Sequence, residues 1–254
     1  MQTRRRFLTT TASGIGAAVI LPYAARAAVQ GSDTFQGNTG AITVHPIHHA
    51  SFVMQVPGLV IYNDPVGKAS AYAHLPPPDL ILLTHHHKDH YVPKTLAALV
   101  AEGTKILANP TVYDQLPKKL KAMATSIGNG DSATFGSVKI EAVPAYNYTE
   151  GRTQYHPKGR DNGYVVNTDG RRIYIAGDTE DVPEMLALTD IDIAFLPMIL
   201  PYTMDITQAA FAVGEFFPAH VYPYHYGKSD IKKFDDLVKH GNGDPVVHFG
   251  PWYT

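Results

Sequence analysis

The sequence predicts an α/β fold in which two β-sheets pack face to face with helices outside, a four-layer αββα sandwich. Three observations carry this. Short apolar runs alternate with turn residues in the order strand-rich, then mixed helix and strand, and that order occurs twice along the chain. The segment Asp79-Leu80-Ile81-Leu82-Leu83 is continuously apolar after its first residue, which suits a strand covered on both faces. Once an expected leader is removed, 227 residues remain, enough for one domain with a large core.

The leader is residues 1–27. Arg4, Arg5 and Arg6 precede Phe7 and Leu8, an uncharged stretch runs to Ala25, and Ala25-Arg26-Ala27 has the small-x-small form of a cleavage site. Paired arginines ahead of Phe-Leu fit a twin-arginine signal peptide, so the expectation is export in folded form to the periplasm. The uncharged stretch is rich in Gly, Ala and Thr and less apolar than a spanning helix, so no stable membrane insertion is expected after cleavage. The domain is then 28–254, with 28–40 polar and loose at its start.

Within that domain, 41–46, 51–56 and 59–63 read as strands, with Pro57-Gly58 turning the last two. The buried strand 79–83 follows, then a helix opened by Pro93 and running to about 101, and a strand at 104–108. The stretch 110–124 reads as helical or irregular. The second half offers strands at 132–135, 138–143, 163–168 and 171–176, with Asp169-Gly170 as a hairpin turn. A helix near 182–188, a strand at 191–196, a helix near 206–217, a strand at 219–224, a helix near 229–239 and a strand at 245–249 complete the reading.

A formal net charge of −2 offers no basic surplus for nucleic acid, so the expected partner is a small-molecule substrate. There is no cysteine, so any zinc must be held by histidine and carboxylate. Histidine numbers 13, and four fall in the six residues His85-His86-His87-Lys88-Asp89-His90, directly after the buried strand. The carboxyl end of a buried strand is a usual place for a site in open α/β sheets. In an extended stretch His85 and His87 point the same way and can share one ion, while His86 points away. Asp89 and His90 follow a turn and can reach a second ion. A solvated polar loop is the plain alternative.

H-x-H-x-D-H after a strand resembles the leading motif of the metallo-β-lactamase superfamily. Asn63-Asp64-Pro65 is similar to its early D-P turn, Gly177-Asp178-Thr179 to its G-D-T motif, and His225 in Pro223-Tyr224-His225-Tyr226-Gly227 to its late histidine. The segments Pro144-Ala145-Tyr146-Asn147 and Pro201-Tyr202-Thr203-Met204 resemble a branch similar to the ascorbate-6-phosphate lactonases and, more distantly, the N-acylphosphatidylethanolamine phospholipases.

The resemblance implies the αββα metallo-β-lactamase fold and two divalent ions, zinc by preference, with manganese or iron also accepted by such ligands. It makes Asp178 the carboxylate bridging both ions, and His225 the partner of Asp89 and His90 at the second. Without it, Asp178 reads equally as a turn or capping residue. This chain departs from the family where a P-x-H-like histidine is usual, reading Ala145-Tyr146-Asn147 instead. His156 is expected to fold back and serve the first ion, the alternative being a surface histidine with Asn147 or water in its place.

The long connection 144–162 is expected to cover the site. Tyr146, Asn147 and Tyr202 are its expected substrate contacts, with Tyr148 and Tyr155 as further aromatic walls. The tyrosines read equally well as packing residues. His48 and His49 line the site or pack elsewhere, and His45, His74, His220, His240 and His248 lie in no motif.

The implied activity is hydrolysis of an ester, lactone or phosphoester by a metal-activated hydroxide, with Asp89 or Asp178 orienting the nucleophile. In flavodi-iron oxidoreductases Glu replaces the second histidine of the motif; His87 stands there here, which favours hydrolysis. The alternatives are a β-lactamase, or a catalytically silent metal-binding or sensing protein of the same fold.

Overall fold

The computed structural model describes residues 31–239 and 245–253; the expected leader lies outside them. Among the described residues no helix is long and apolar enough to cross a membrane. The first half builds one seven-stranded sheet from β1 (Asp33–Gln36), β2 (Ala41–His48), β3 (Ser51–Val56), β4 (Leu59–Asn63), β5 (Leu80–Leu83), β6 (Lys105–Ala108) and β7 (Ala124–Ser126). The second half builds another from β8 (Ser132–Phe135), β9 (Val138–Ala145), β10 (Asp161–Thr168), β11 (Arg171–Ile175), β12 (Ile193–Pro197), β13 (His220–Tyr224) and β14 (Val246–Val247). Strands follow one another across each sheet in chain order.

The two halves repeat one pattern. β1 to β4 pair antiparallel and β4 to β7 parallel. β8 to β11 pair antiparallel and β11 to β14 parallel. The tight hairpins carry their expected turns: Asp169 and Gly170 take φ 47° and 76°, as a primed turn between twisted strands requires, and Gly58 takes φ +80° after Pro57, the type II pattern that proline then glycine favours.

Period-2 alternation sorts the side chains into layers. Leu80 and Leu82 of β5 and Phe52 and Met54 of β3 face Ile193 and Phe195 of β12 and Tyr164 and Val166 of β10 in the core between the sheets. The alternate residues Ile81 and Leu83 face outward onto α1 (Pro93–Leu99), α2 (Pro110–Gln115) and α3 (Lys118–Lys121) through Leu96, Val112 and Leu120. Ala194 and Leu196 face outward onto α4 (Pro183–Leu186), α5 (Ile206–Phe216) and α6 (Ile231–Val238) through Met185, Ala212 and Phe234. The four-layer αββα sandwich expected from the sequence is therefore present. Local signals fix the helix ends. Pro93, Pro110 and Pro183 occupy first-turn positions, and Asp205 and Gln208 form a reciprocal capping box at the start of α5.

The differences from the sequence reading lie at sheet edges. Within 28–40, expected to be loose, β1 forms an edge strand whose Phe35 ring packs 4.8 Å from the His220 ring and 6.4 Å from that of Tyr222. Its alternating half-burial has no long apolar run to announce it. The stretch 110–124 holds α2 and α3, but its last residue opens the unexpected β7. The final strand shrinks to Val246–Val247, and the helix near 182–188 to one turn.

Candidate metal centre

The site lies where the carboxyl ends of the parallel strands of both sheets meet. Asp64 follows β4, the His85–His90 segment follows β5, Asp178 follows β11 and His225 follows β13. Four hydrogen bonds tie the two sheets together here. Tyr164 Oη donates to Leu83 O at 2.7 Å, Asn162 N to Thr84 O at 3.1 Å, Asn109 Nδ2 to Arg160 O at 2.9 Å and His225 N to His49 O at 2.9 Å. Gly177 turns the chain into Asp178 at φ +66°, where a Cβ would stand 2.8 Å from Asn162 O, so glycine is required.

Two groups of potential ligands stand side by side: His85, His87, His156 and Asp178, and His49, Asp89, His90 and His225, with the ligand atoms of each group within 4.8 Å of one another. Asp178 reaches both. Its Oδ2 lies 3.8 Å from His85 Nε2, 3.4 Å from His156 Nε2 and 3.4 Å from His225 Nε2, and its Oδ1 lies 3.3 Å from His90 Nε2. His156 does fold back: its ring centroid is 4.9 Å from that of His85 and 4.7 Å from that of His87.

Three imidazoles are locked in one tautomer by what holds Nδ1. Asp64 accepts from His90 Nδ1 at 2.8 Å, and Asp161 accepts from His156 Nδ1 at 3.0 Å. Thr84 Oγ1 spends its single proton on Asp64 Oδ2 at 2.6 Å, so at 3.0 Å it can only accept from His85 Nδ1. Each of these rings, when neutral, therefore turns the lone pair of Nε2 toward Asp178. The Nε2 atoms of His85, His90 and His156 and Oδ1 of Asp178 are buried without a hydrogen-bond partner. Buried polar atoms are ordinarily paired. Four orphans converging on one point, each imidazole backed by a hydroxyl or carboxylate, fit the donor set of a divalent cation.

The electrostatics agree. Burial pushes His85 well below its ordinary value and His87 down to about 4, leaving both neutral with a lone pair to offer. Burial alone would raise Asp178; the neighbouring His225 and His90 outweigh it and hold the carboxyl well below the usual range. Burial alone would lower His90, but Asp178 and Asp64 raise it instead. In the metal-free chain a proton is thus drawn to the place where a cation would sit.

The other residues singled out from the sequence stand outside the two groups. His86 belongs to neither group. Asn147 is buried and engaged with backbone, donating from Nδ2 to Tyr202 O at 2.7 Å. Its N–H donates to His156 O at 2.8 Å, which ties the loop across, and its Oδ1 is buried without a partner. Tyr146 packs among buried apolar residues, its hydroxyl donating to Glu184 at 2.9 Å. Tyr202 is exposed, its ring 4.9 Å from that of Tyr155. Glu180, fully buried, accepts from Tyr148 N, Thr149 N and Arg152 Nη1 and pins the loop beside Asp178. The residues not assigned from sequence are Asp64, Thr84, Asp161 and His49. Asp64 was visible in its D-P turn, whereas Asp161 carried no local signal. Beside the second group opens a cavity of ≈ 270 Å³ lined by His48, His49, Val66 and Asp89.

Comparison with known proteins accords with this geometry. Residues 43–225 match the family described as the Beta-lactamase superfamily domain. A UPF0173 metal-dependent hydrolase of Ligilactobacillus salivarius is 32% identical over 198 residues, 73% of this chain and 88% of that protein. A candidate metal-dependent hydrolase of Parabacteroides distasonis, solved by crystallography, is 42% identical, with a TM-score of 0.79 over 86% of this chain and 97% of that one. Igni18, a metallo hydrolase of Ignicoccus hospitalis, shares the fold at 24% identity and a TM-score of 0.69, over 83% of this chain and 96% of that one. The chain belongs to the β-lactamase superfamily, within the family of metal-dependent hydrolases that these relatives represent.

Proposed function

We propose that this chain hydrolyses an ester, lactone or phosphoester of a small molecule with two divalent ions, one held by His85, His87, His156 and Asp178 and the other by Asp89, His90, His225 and Asp178. The observation that carries the reading is the convergence of buried, partnerless nitrogens on a carboxylate lying between two adjacent ligand groups. Nitrogen-rich ligands without thiolate favour zinc, with manganese or iron as the alternatives. Such ions, when bound, supply a water acidic enough to attack near neutral pH and a charge that stabilises the substrate oxygen as it becomes negative.

The chain's own groups divide the remaining work. Asp178 is buried and enclosed by imidazoles, which suits a fixed bridge. The side chain of Asp89 is 50% exposed beside the open cavity, and its Oδ2 lies 3.3 Å from His225 Nε2 and 3.2 Å from His49 Nε2. It is the carboxylate able both to orient a nucleophilic water and to take its proton at Oδ2. The cavity admits a small molecule and the covering loop 144–160 limits its approach. The likeness of the A-Y-N and P-Y-T-M segments to the ascorbate-6-phosphate lactonase branch supports a lactone or phosphorylated sugar acid among the substrates. The arginine-led segment at residues 4–8 supports periplasmic export.

The test is turnover by protein of residues 28–254 loaded with zinc or manganese, against aryl esters, lactones, phosphodiesters and a β-lactam. Hydrolysis in one of the first three classes, abolished by Asp178→Asn, is expected. Preferred turnover of the β-lactam would assign a β-lactamase. Stoichiometric metal with no turnover of any class would favour a binding or sensing protein.

A further inference from the structure

His49 is built into the site with a care that no sequence motif announces. It sits at φ 57° between β2 and β3, a backbone conformation that non-glycine residues rarely take. Two main-chain hydrogen bonds hold it there: its N–H donates to Trp252 O at 3.1 Å and its carbonyl accepts from His225 N at 2.9 Å. Trp252 is itself buried against Phe52, Phe195 and Tyr224 between the sheets. Trp252 is thereby anchored, and delivers the next residue, Tyr253, to the His49 ring. Tyr253 Oη lies 2.9 Å from His49 Nδ1, and His49 Nε2 lies 3.2 Å from Asp89 Oδ2. The His49 ring lies against that of His225, with centroids 3.9 Å apart and planes tilted by 49°.

The hydrogen bookkeeping separates His49 from the other histidines. At His90 and His156 the partner of Nδ1 is a carboxylate, which only accepts, so Nε2 is left bare as a ligand. At His49 the partner is a phenol whose oxygen already accepts from Gly227 N at 2.9 Å. Its one proton is free to be donated to Nδ1, which places the imidazole proton on Nε2, facing Asp89. Asp89 needs such a donor. It is the most exposed carboxylate of the two groups, and the other contact to its Oδ2 is His225 Nε2 at 3.3 Å.

We infer that Tyr253 and His49 form a positioning relay for the second ion: Tyr253 Oη–H donates to His49 Nδ1, and His49 Nε2–H donates to Asp89 Oδ2, holding that carboxylate toward the ion. His49 then acts through Asp89 and is not itself a ligand, although it stands among the ligand atoms of the second group. The inference rests on the two-ion reading above.

The experiment is equilibrium metal titration of residues 28–254 against a chromophoric chelator, with the absorption spectrum of the cobalt-loaded protein as second readout. The proteins are wild type, His49→Ala, His49→Gln and Tyr253→Phe. His87→Ala, which removes a ligand of the first ion, marks which of the two ions responds. Loss of a partner that orients a ligand typically weakens metal binding about 10–100-fold, and that is expected for the second ion in His49→Ala, with the first unchanged. His49→Gln keeps an N–H near the position of Nε2 and should restore most of the affinity and the wild-type cobalt spectrum. Tyr253→Phe should shift the same ion in the same direction by a smaller factor. If His49→Gln is as damaging as His49→Ala while Tyr253→Phe binds normally, His49 is a ligand and the relay is wrong. If all three variants bind both ions as wild type does, the relay has no role. A wild-type protein that never takes a second ion overturns the two-ion reading, and the relay with it.

Discussion

The residue that most sharply tests the construction of this site touches no ion in the proposed arrangement. Asp64 is fully buried and accepts three hydrogen bonds, from Thr84 N at 2.8 Å, Thr84 Oγ1 at 2.6 Å and His90 Nδ1 at 2.8 Å. Asp64→Asn keeps the shape and turns one oxygen into a donor. If Oδ1 keeps Thr84 N–H, the new NH2 faces two donors, Thr84 Oγ1–H and His90 Nδ1–H. Hydrogen bonds to a charged group contribute about 1.5–3 kcal/mol each, so losing both costs about 3–6 kcal/mol if neither partner adjusts. His90 can adjust by moving its proton from Nδ1 to Nε2, which recovers stability but covers the nitrogen that faces Asp178. Metal affinity should then fall about 10–100-fold, or roughly 1.4–2.7 kcal/mol.

The two costs are alternatives, and differential scanning of apo and loaded protein separates them. In a domain of this size each kcal/mol moves the midpoint by about 2–4 °C. Either the apo midpoint drops by roughly 6 °C or more, or the increment gained on zinc binding shrinks by roughly 3–10 °C. A variant with the wild-type apo midpoint and the wild-type zinc increment would refute the claim that Asp64 sets the His90 tautomer.

Three further outcomes are expected. His156→Ala should lower metal content to nearer one ion per chain and depress hydrolysis strongly while the circular dichroism spectrum is retained, whereas His86→Ala should do neither; elemental analysis of the two purified variants decides. Gly177→Ala forces φ +66° on a Cβ that meets Asn162 O at 2.8 Å, so the fold should lose about 2–5 kcal/mol, read as a lower urea midpoint; an unchanged midpoint would mean the turn has slack that its contacts do not suggest. Replacing Arg4 and Arg5 by lysine should retain the protein in the cytoplasm, and an unchanged periplasmic yield on cell fractionation would point to another route.

How far the sequence could be read follows from the range of each interaction. His85, His87, Asp89 and His90 are legible because six consecutive residues after an apolar strand settle which way each side chain points. The paired sheets are legible because alternation is a local property of each strand. β1 and β7 escape because edge strands bury one face against partners distant in the chain: Phe35 packs on Tyr222, and Ala124 pairs with Ile106. The tautomer locks escape for the same reason. Asp161 is an ordinary residue at the head of β10 until the loop returns His156 to it. Tyr253 is an ordinary terminal aromatic until its hydroxyl, 204 residues further along the chain, meets His49. Asn147 carries a bond that its motif does not announce. Its Nδ2 donates to Tyr202 O and its backbone N–H to His156 O, across the loop that brings His156 to the site, while its Oδ1 is buried without a partner.

The repeated topology explains why a strong site can be assembled from such scattered residues. Each sheet changes from antiparallel to parallel pairing at its fourth strand, and the carboxyl ends beyond that change face each other across the sandwich. Asp64 leaves β4 and Asp178 leaves β11, both at a strand end of the same kind in their own sheet. They take opposite duties. Asp64 stands behind His90 and fixes its proton, while Asp178 stands in front and shares its oxygens between the two groups. The hydrogen bonds from Tyr164 to Leu83 O, Asn162 to Thr84 O and His225 to His49 O cross from one sheet to the other within a few residues of the ligands. Separating the sheets would therefore break the ligand set before it moved any single ligand. Holding His85, His90, Asp178 and His225 at or just beyond strand ends keeps their positions largely independent of the loops that choose the substrate. The segment 199–204 can then vary in contour while Asp178, at the junction of the two halves, stays where both groups need it; the connection 146–160 is held more tightly, because it carries His156.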